Sequence, residues 1–204
     1  QTCALPICEN KSPESNIGCS ILLTGTAAPY VNFVQWTPYE KWNGDVAKYE
    51  LWRKIDDQSP YVLIATLNKN QLSFIDDKLD LAGGRFYYKI IAYEGSGSLG
   101  KTSISNEIIL VQSPQVFIPN AFTPNEDSYN ETWYPKSTFV NDFDLYIYNR
   151  WGQLIFESHN ELDQWKGSYN GKPCQEGLYY YVLKYTGYDN NNTYSKTGSI
   201  TLVR

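Results

Sequence analysis

Few side chains in these 204 residues have the chemistry of catalysis. His159 is the sole histidine and sits in a polar stretch after a strand-like run. A His-based metal set is therefore impossible. No Ser or Cys lies in a Gly-x-Ser-x-Gly elbow, and no glycine-rich phosphate loop precedes a helix. A glycosidase-like carboxylate pair among the 22 acids has no sequence signature to mark it. Cys3, Cys8, Cys19 and Cys174 are the four cysteines. The Cys3–Cys8 gap does not match common zinc spacings and no His is nearby, so a disulfide among the first three, or from one of them to Cys174, is expected. Free thiols are the alternative, and the connectivity is open. Asn125, Asp127 and Glu131 place oxygen donors at short alternating spacing, as a calcium loop needs. The tight-turn glycines of such a loop are missing, and Asn and Asp also cap turns without metal, so a bare turn is the expectation. Arg150-Trp151-Gly152 offers a guanidinium fork, a large apolar face and a residue free to turn sharply. It reads either as the staple of a hairpin corner or as a recognition surface.

These residues need a scaffold, and the composition says which kind. Tyr, Phe and Trp number 18, 8 and 6, and with Val, Ile and Thr they favour strands. No amphipathic helix longer than two turns and no membrane-spanning apolar run is present. Net charge is −5, with 10 basic and 12 acidic residues before Pro114 and 7 and 10 from there on. Neither half carries the basic field that nucleic acid or anionic lipid requires. The sequence has no Met and starts at Gln1, which reads as a mature form or a piece of a longer chain, with any signal peptide outside it.

Residues 1–19 lack periodicity and read as a linker or the tail of a preceding module. Strand-like runs follow near Ser20–Thr24, then at Val31–Thr37, Ala47–Ile55, Tyr61–Leu67, Leu72–Ile75, Arg85–Tyr93 and Ser105–Val111. Turn residues separate them, which predicts an antiparallel sandwich over residues 20–112. Trp42 and Trp52 are open to two readings, sheet packing or ligand stacking. Gln112-Ser113-Pro114 is polar and breaks the ladder, so it reads as a boundary. In the second half, Phe143–Asn149 alternates with Phe143, Leu145 and Ile147 on one face. Leu154–Glu157 returns as a hairpin. Asn170-Gly171 is a primed-turn signal, Leu178–Tyr188 is a long aromatic strand, and Tyr194–Arg204 is a closing strand.

Two resemblances follow. Trp36, with Tyr88-Lys89-Ile90-Ile91-Ala92 on a late strand, resembles a fibronectin type III domain over residues 20–112. Residues 115–204 resemble the type B C-terminal sorting domain of the type IX secretion system, the gliding motility-associated C-terminal domain family. The residues that carry this are Ile118-Pro119-Asn120-Ala121-Phe122-Thr123-Pro124-Asn125, then Asn149-Arg150-Trp151-Gly152, Trp165-x-Gly167, Asn170-Gly171-Lys172-Pro173, Gly177-Leu178-Tyr179 and the closing Gly198 to Arg204. Four places depart from the family pattern, one of them Asn130-Glu131 where Asn-Asp is usual. Glu126-Asp127-Ser128 stands where Gly-Asp-Gly is usual, Lys166 where Asp is usual, and Cys174 where a small residue or Pro is usual.

The resemblances imply an all-β chain of two tandem antiparallel Ig-like or fibronectin III-like sandwiches, 20–112 and 115–204. They imply no enzyme and no cofactor. The expected role is a folded sorting signal of a secreted or cell-surface protein in a Bacteroidetes-type bacterium. The implied partners are the outer-membrane translocon and a PorP/SprF-like protein. An adhesin or carbohydrate-binding module, with a glycan or surface ligand on the upstream domain, is the alternative. Three coplanar exposed aromatic rings on one sheet would favour it.

Overall fold

The computed structural model describes residues 20–40, 42, 45–96, 100–189 and 192–204. Cys3, Cys8 and Cys19, and the disulfide expected among them, lie outside the described residues. The described residues contain no helix, so none is long and apolar enough to cross a membrane. The chain is all-β.

In the first half, β1 (Leu23–Ala28), β2 (Val31–Trp36) and β5 (Ser73–Asp76) form one antiparallel sheet. The second sheet runs β4 (Val62–Asn68), β3 (Val46–Lys54), β6 (Arg85–Glu94), with β7 (Thr102–Ile104) and β8 (Ile108–Val111) sharing the far side of β6. Alternation along each strand turns Leu23, Val34, Leu51, Phe86, Tyr88 and Ile90 into the space between the sheets. Trp36 fills that core edge-on to Tyr49, with ring centroids 5.8 Å apart. The first strand lies later than the expected 20–24. It continues through small and polar residues because Gly25 must pass close to the neighbouring strand: a Cβ there would stand 2.7 Å from the Phe33 carbonyl oxygen.

A buried polar chain ties the two sheets. The Arg53 guanidinium donates to Asp76 Oδ2 at 2.6 Å, and the Tyr88 hydroxyl donates to the same oxygen at 2.7 Å. Asn32 donates to that hydroxyl at 2.9 Å, and Gln112 donates to Asn32 Oδ1 at 2.8 Å. Each buried group has a partner, so burial is not penalised by an orphaned charge. Gln112 is therefore no solvated linker residue: it is 2% exposed and closes the network of the strands before it.

In the second half, β9 (Gln115–Phe117) pairs with β11 (Lys136–Thr138), and β14 (Ser168–Tyr169) pairs with β15 (Lys172–Pro173). The main sheet runs β10 (Ala121–Phe122), β17 (Thr193–Leu202), β16 (Gly177–Gly187), β12 (Val140–Tyr148), β13 (Leu154–Ser158). Phe143, Leu145 and Ile147 are buried, as their alternation predicts. The short β10 pairs parallel to the end of β17, a non-local contact that no turn signal announces. The aromatic centre is Trp133 and Trp165, 0% and 1% exposed, whose backbones bridge to each other. The open edge of β17 is guarded by Lys196, which stands opposite the buried Leu183 and donates to the Val116 carbonyl at 2.9 Å.

Phe139 crosses between the halves. It follows β11 yet is buried in the core cluster of the first half. Its ring lies 6.5 Å from Phe86 and 5.6 Å from Tyr30, centroid to centroid. Its N–H donates to the Leu81 carbonyl, and its φ is +59°. On the same side, Tyr188 packs over Gly84, where a Cβ would overlap its ring, and accepts on its carbonyl from Arg85.

Candidate functional site

The candidate site is assembled from three turns at one end of the second half. The first joins β12 to β13. Asn149 organises it: its N–H donates to the Gln153 carbonyl, and its Oδ1 accepts from the N–H groups of Trp151 and Gln153, each at 3.0 Å. Gly152 closes the turn at φ +80° with nothing near its Cβ position, so glycine is required there by backbone conformation alone. Asn149 and Gly152 thus staple the corner. Trp151 does not: it is 73% exposed. Arg150 stacks on one face of its ring at 4.3 Å and reaches Gln175 Oε1 at 3.4 Å.

The second turn is Asn170-Gly171 at the tip of β14–β15. Both residues have positive φ, 50° and 74°, as a primed hairpin turn demands. The third is the segment from Cys174 to Gly177 entering β16. Gly167 carries it from beneath: its φ is +67° and a Cβ would fall 2.8 Å from Leu202 Cδ1. The Gly167 carbonyl accepts from the Cys174 N–H at 2.8 Å and from Arg204 Nη2 at 3.1 Å. Arg204 also donates to the Cys174 carbonyl at 2.5 Å, so the last residue stitches the closing strand to two loops. Tyr179 donates its hydroxyl to the Gln175 carbonyl at 2.6 Å.

Between the first turn and the β14–β15 hairpin lies an open groove of about 450 Å³. Ile155, Tyr169 and Tyr179 line it with apolar surface, and Trp151 and Lys172 belong to the same lining. No Asp or Glu lines it. Cys174 belongs to its lining as a half-buried thiol with no disulfide partner among the described residues, and Cys3, Cys8 and Cys19, the partners considered for it, lie outside them. Burial raises its pKa, against smaller opposing effects of Tyr179 and Arg204.

The remaining sequence-selected residues are scaffold. Phe122 and Trp165 pack at 5.2 Å between ring centroids, and Trp165 meets Tyr179 at 5.0 Å. The Pro119 carbonyl accepts from Trp133 Nε1 at 2.7 Å, and the Asn120 carbonyl accepts from the Thr201 N–H at 2.8 Å. Pro124 packs against Gly167, Thr123 donates its N–H to the Asn130 carbonyl, and Gly177 turns at φ +138° into β16. Sequence reasoning missed Trp133. It stands among polar residues without alternation, and only its long-range bridge to Trp165 reveals its place.

The loop at 125–131 lies apart from the groove. Its acids are occupied by the loop's own backbone: Asp127 Oδ1 accepts from the Tyr129 N–H at 2.8 Å and Glu131 Oε1 from the Ser128 N–H at 3.1 Å. Asn125 Nδ2 donates to Asp127 Oδ2. This is the hydrogen bonding of a self-capped turn. Upstream, Trp42 packs against Tyr39 at a tilt, with ring centroids 4.3 Å apart. Lys89 and Lys54 cover the Tyr61 ring, and Lys48 covers Tyr93. Trp52 is half-buried. Among the described residues the strand aromatics that are largely exposed are Phe33, Phe117 and Tyr180, one to a sheet, and Tyr180 stands directly opposite the half-buried Tyr148.

Residues 116–202 match the family model of the CHU_C Type IX secretion signal domain, which bears out the resemblance read in their sequence. No curated protein matches the chain. Among solved structures, pectate lyase PelI from Erwinia chrysanthemi, in complex with tetragalacturonic acid, is 19% identical with a TM-score of 0.38, over 45% of this chain. The match spans 28% of the lyase's own length. A Fn3-like protein from Clostridium thermocellum is 21% identical at a TM-score of 0.34, over 43% of this chain and 84% of that one. The FN1-FN3 domains of chicken CNTN1 are 11% identical at a TM-score of 0.39, over 92% and 66%.

Proposed function

We propose, on the premise that residues 116–202 form a type IX secretion signal domain, that residues 115–204 are a folded address read at the outer membrane. Residues 20–112 are a fibronectin-like spacer between that address and the cargo. The protein is then carried to the cell surface or beyond it in a Bacteroidetes-type bacterium, and it does no chemistry of its own.

One observation carries this reading. Phe122, Trp165 and Tyr179 are consumed by the core, while Arg150 and Trp151 project outward from a corner held by Asn149 and Gly152. A large exposed aromatic on a rigid corner is costly to keep in water and suited to a partner. Trp and Arg are also the side chains that dominate recognition interfaces, and a pre-ordered corner limits the entropy lost on binding. The reader of this corner is the translocon or a PorP/SprF-like partner.

The test is a periplasmic reporter fused ahead of the 204-residue chain and expressed in a host with a working type IX system. The reporter is expected in the medium or on the surface. The same fusion lacking residues 115–204 is expected to stay in the periplasm. Retention of the first, or release of the second, contradicts the proposal.

A further inference from the structure

We infer that the groove beside Trp151 seats an extended acidic segment of a partner protein, an assignment that rests on the sorting reading for the biological event and on the groove itself for the chemistry. The argument begins with charge. The chain as a whole is acidic, at −5, yet this groove has no carboxylate in its lining and carries Lys172 in one wall. Arg150 adds a second cation at the rim, stacked on Trp151 rather than paired with an acid. Neither Arg150 nor Lys172 forms an ion pair among the described residues. Glu176, on the same segment as Cys174, is engaged by the Arg204 N–H, and Asp142, Asp144 and Glu161 line a separate cleft on the main sheet.

Two cations without an acidic partner, Lys172 in the lining and Arg150 against the lining residues Trp151 and Gln175, call for carboxylates beside an apolar side chain. Arg presents a planar fork for a carboxylate, and Lys a point charge. Ile155, Tyr169 and Tyr179 beneath them are suited to an aliphatic or aromatic side chain.

A sugar is the less fitting occupant. Hydroxyl-rich ligands need free amide donors and acceptors, and here those of Asn149 and Gln153 are already engaged within the turn. Asn149 donates to Gln153 Oε1 and accepts from two backbone N–H groups. Gln153 Nε2 bonds the Tyr169 hydroxyl at 3.3 Å, and Gln175 Oε1 bonds Arg150. The cations Lys172 and Arg150 and the apolar surface beside them suit an acidic peptide segment better than a neutral sugar.

The probe is a random Glu–Tyr copolymer titrated calorimetrically into the 204-residue chain, with polygalacturonate titrated in parallel. The copolymer is expected to bind, and its affinity to fall about tenfold or more as salt is raised from about 50 mM to about 500 mM. Arg150→Glu/Lys172→Glu is expected to abolish binding with an unchanged melting curve, since both side chains are exposed. Arg150→Gln alone is expected to weaken it about fivefold. No copolymer binding, equal binding by the double variant, or binding of polygalacturonate in its place overturns the inference. An export arm separates this inference from the sorting reading. If the wild-type chain exports a reporter and the double variant exports it equally, the acidic occupant is wrong and the sorting reading stands. If the wild-type chain does not export it, the sorting reading falls and the titration alone decides the groove.

Discussion

The loop before the second domain's core shows how single residues carry a backbone that does not suit them. Glu126, Ser128 and Asn130 all have positive φ, at 67°, 73° and 52°. Asn tolerates that region, but Glu and Ser do so at a cost of roughly 1–2 kcal/mol each. Glu126 and Ser128 are also the positions where the family pattern has glycine. Asp127 and Glu131 hold this backbone by capping the loop's N–H groups. Glu126→Gly and Ser128→Gly should each raise stability by about 1 kcal/mol or somewhat less, because glycine removes the steric penalty but adds unfolded-state entropy. Urea unfolding of each variant checks this; a fall in the midpoint for both would show that the loop is not strained at these sites.

At the scale of elements, the pieces legible in the sequence are those whose signals are local. The alternation of Phe143, Leu145 and Ile147 identified β12 and its buried face, and Asn170-Gly171 identified the hairpin tip. The corner at Asn149-Arg150-Trp151-Gly152 was legible as a turn, but not which of its residues hold it and which face outward. That division depends on backbone hydrogen bonds that residue types alone do not dictate. The parallel pairing of β10 with β17, the Trp133–Trp165 bridge and the split of the last strand of the first half into β7 and β8 were not legible, because their partners lie far along the chain. Phe139 is the sharpest case. It sits between β11 and β12 in a stretch that reads as second domain, yet its ring completes the first core. Phe139→Ala removes a fully buried ring and should destabilise the chain by about 3–5 kcal/mol. Calorimetry of the variant should resolve two transitions in place of one as the halves uncouple. A single transition at the wild-type temperature would mean that the junction bears no weight.

At the scale of the whole molecule, two β-units with separate cores are joined by Phe139, Tyr188 and Gly84 at a close junction rather than by a free tether. Such a junction ties the second unit to the first, while the second keeps its own core around Trp133, Trp165, Leu183 and Ile200. The central claim is that the message is the exposed corner of this folded unit and not its mere presence at the end of the chain. The most direct measurement takes Trp151→Ala in the reporter fusion and follows extracellular reporter and the melting curve of the purified chain together. Because Trp151 is largely exposed, the account predicts a melting shift within about 0.5 kcal/mol of wild type and reporter retained in the periplasm. Reporter released at the wild-type level by a folded Trp151→Ala chain would contradict it.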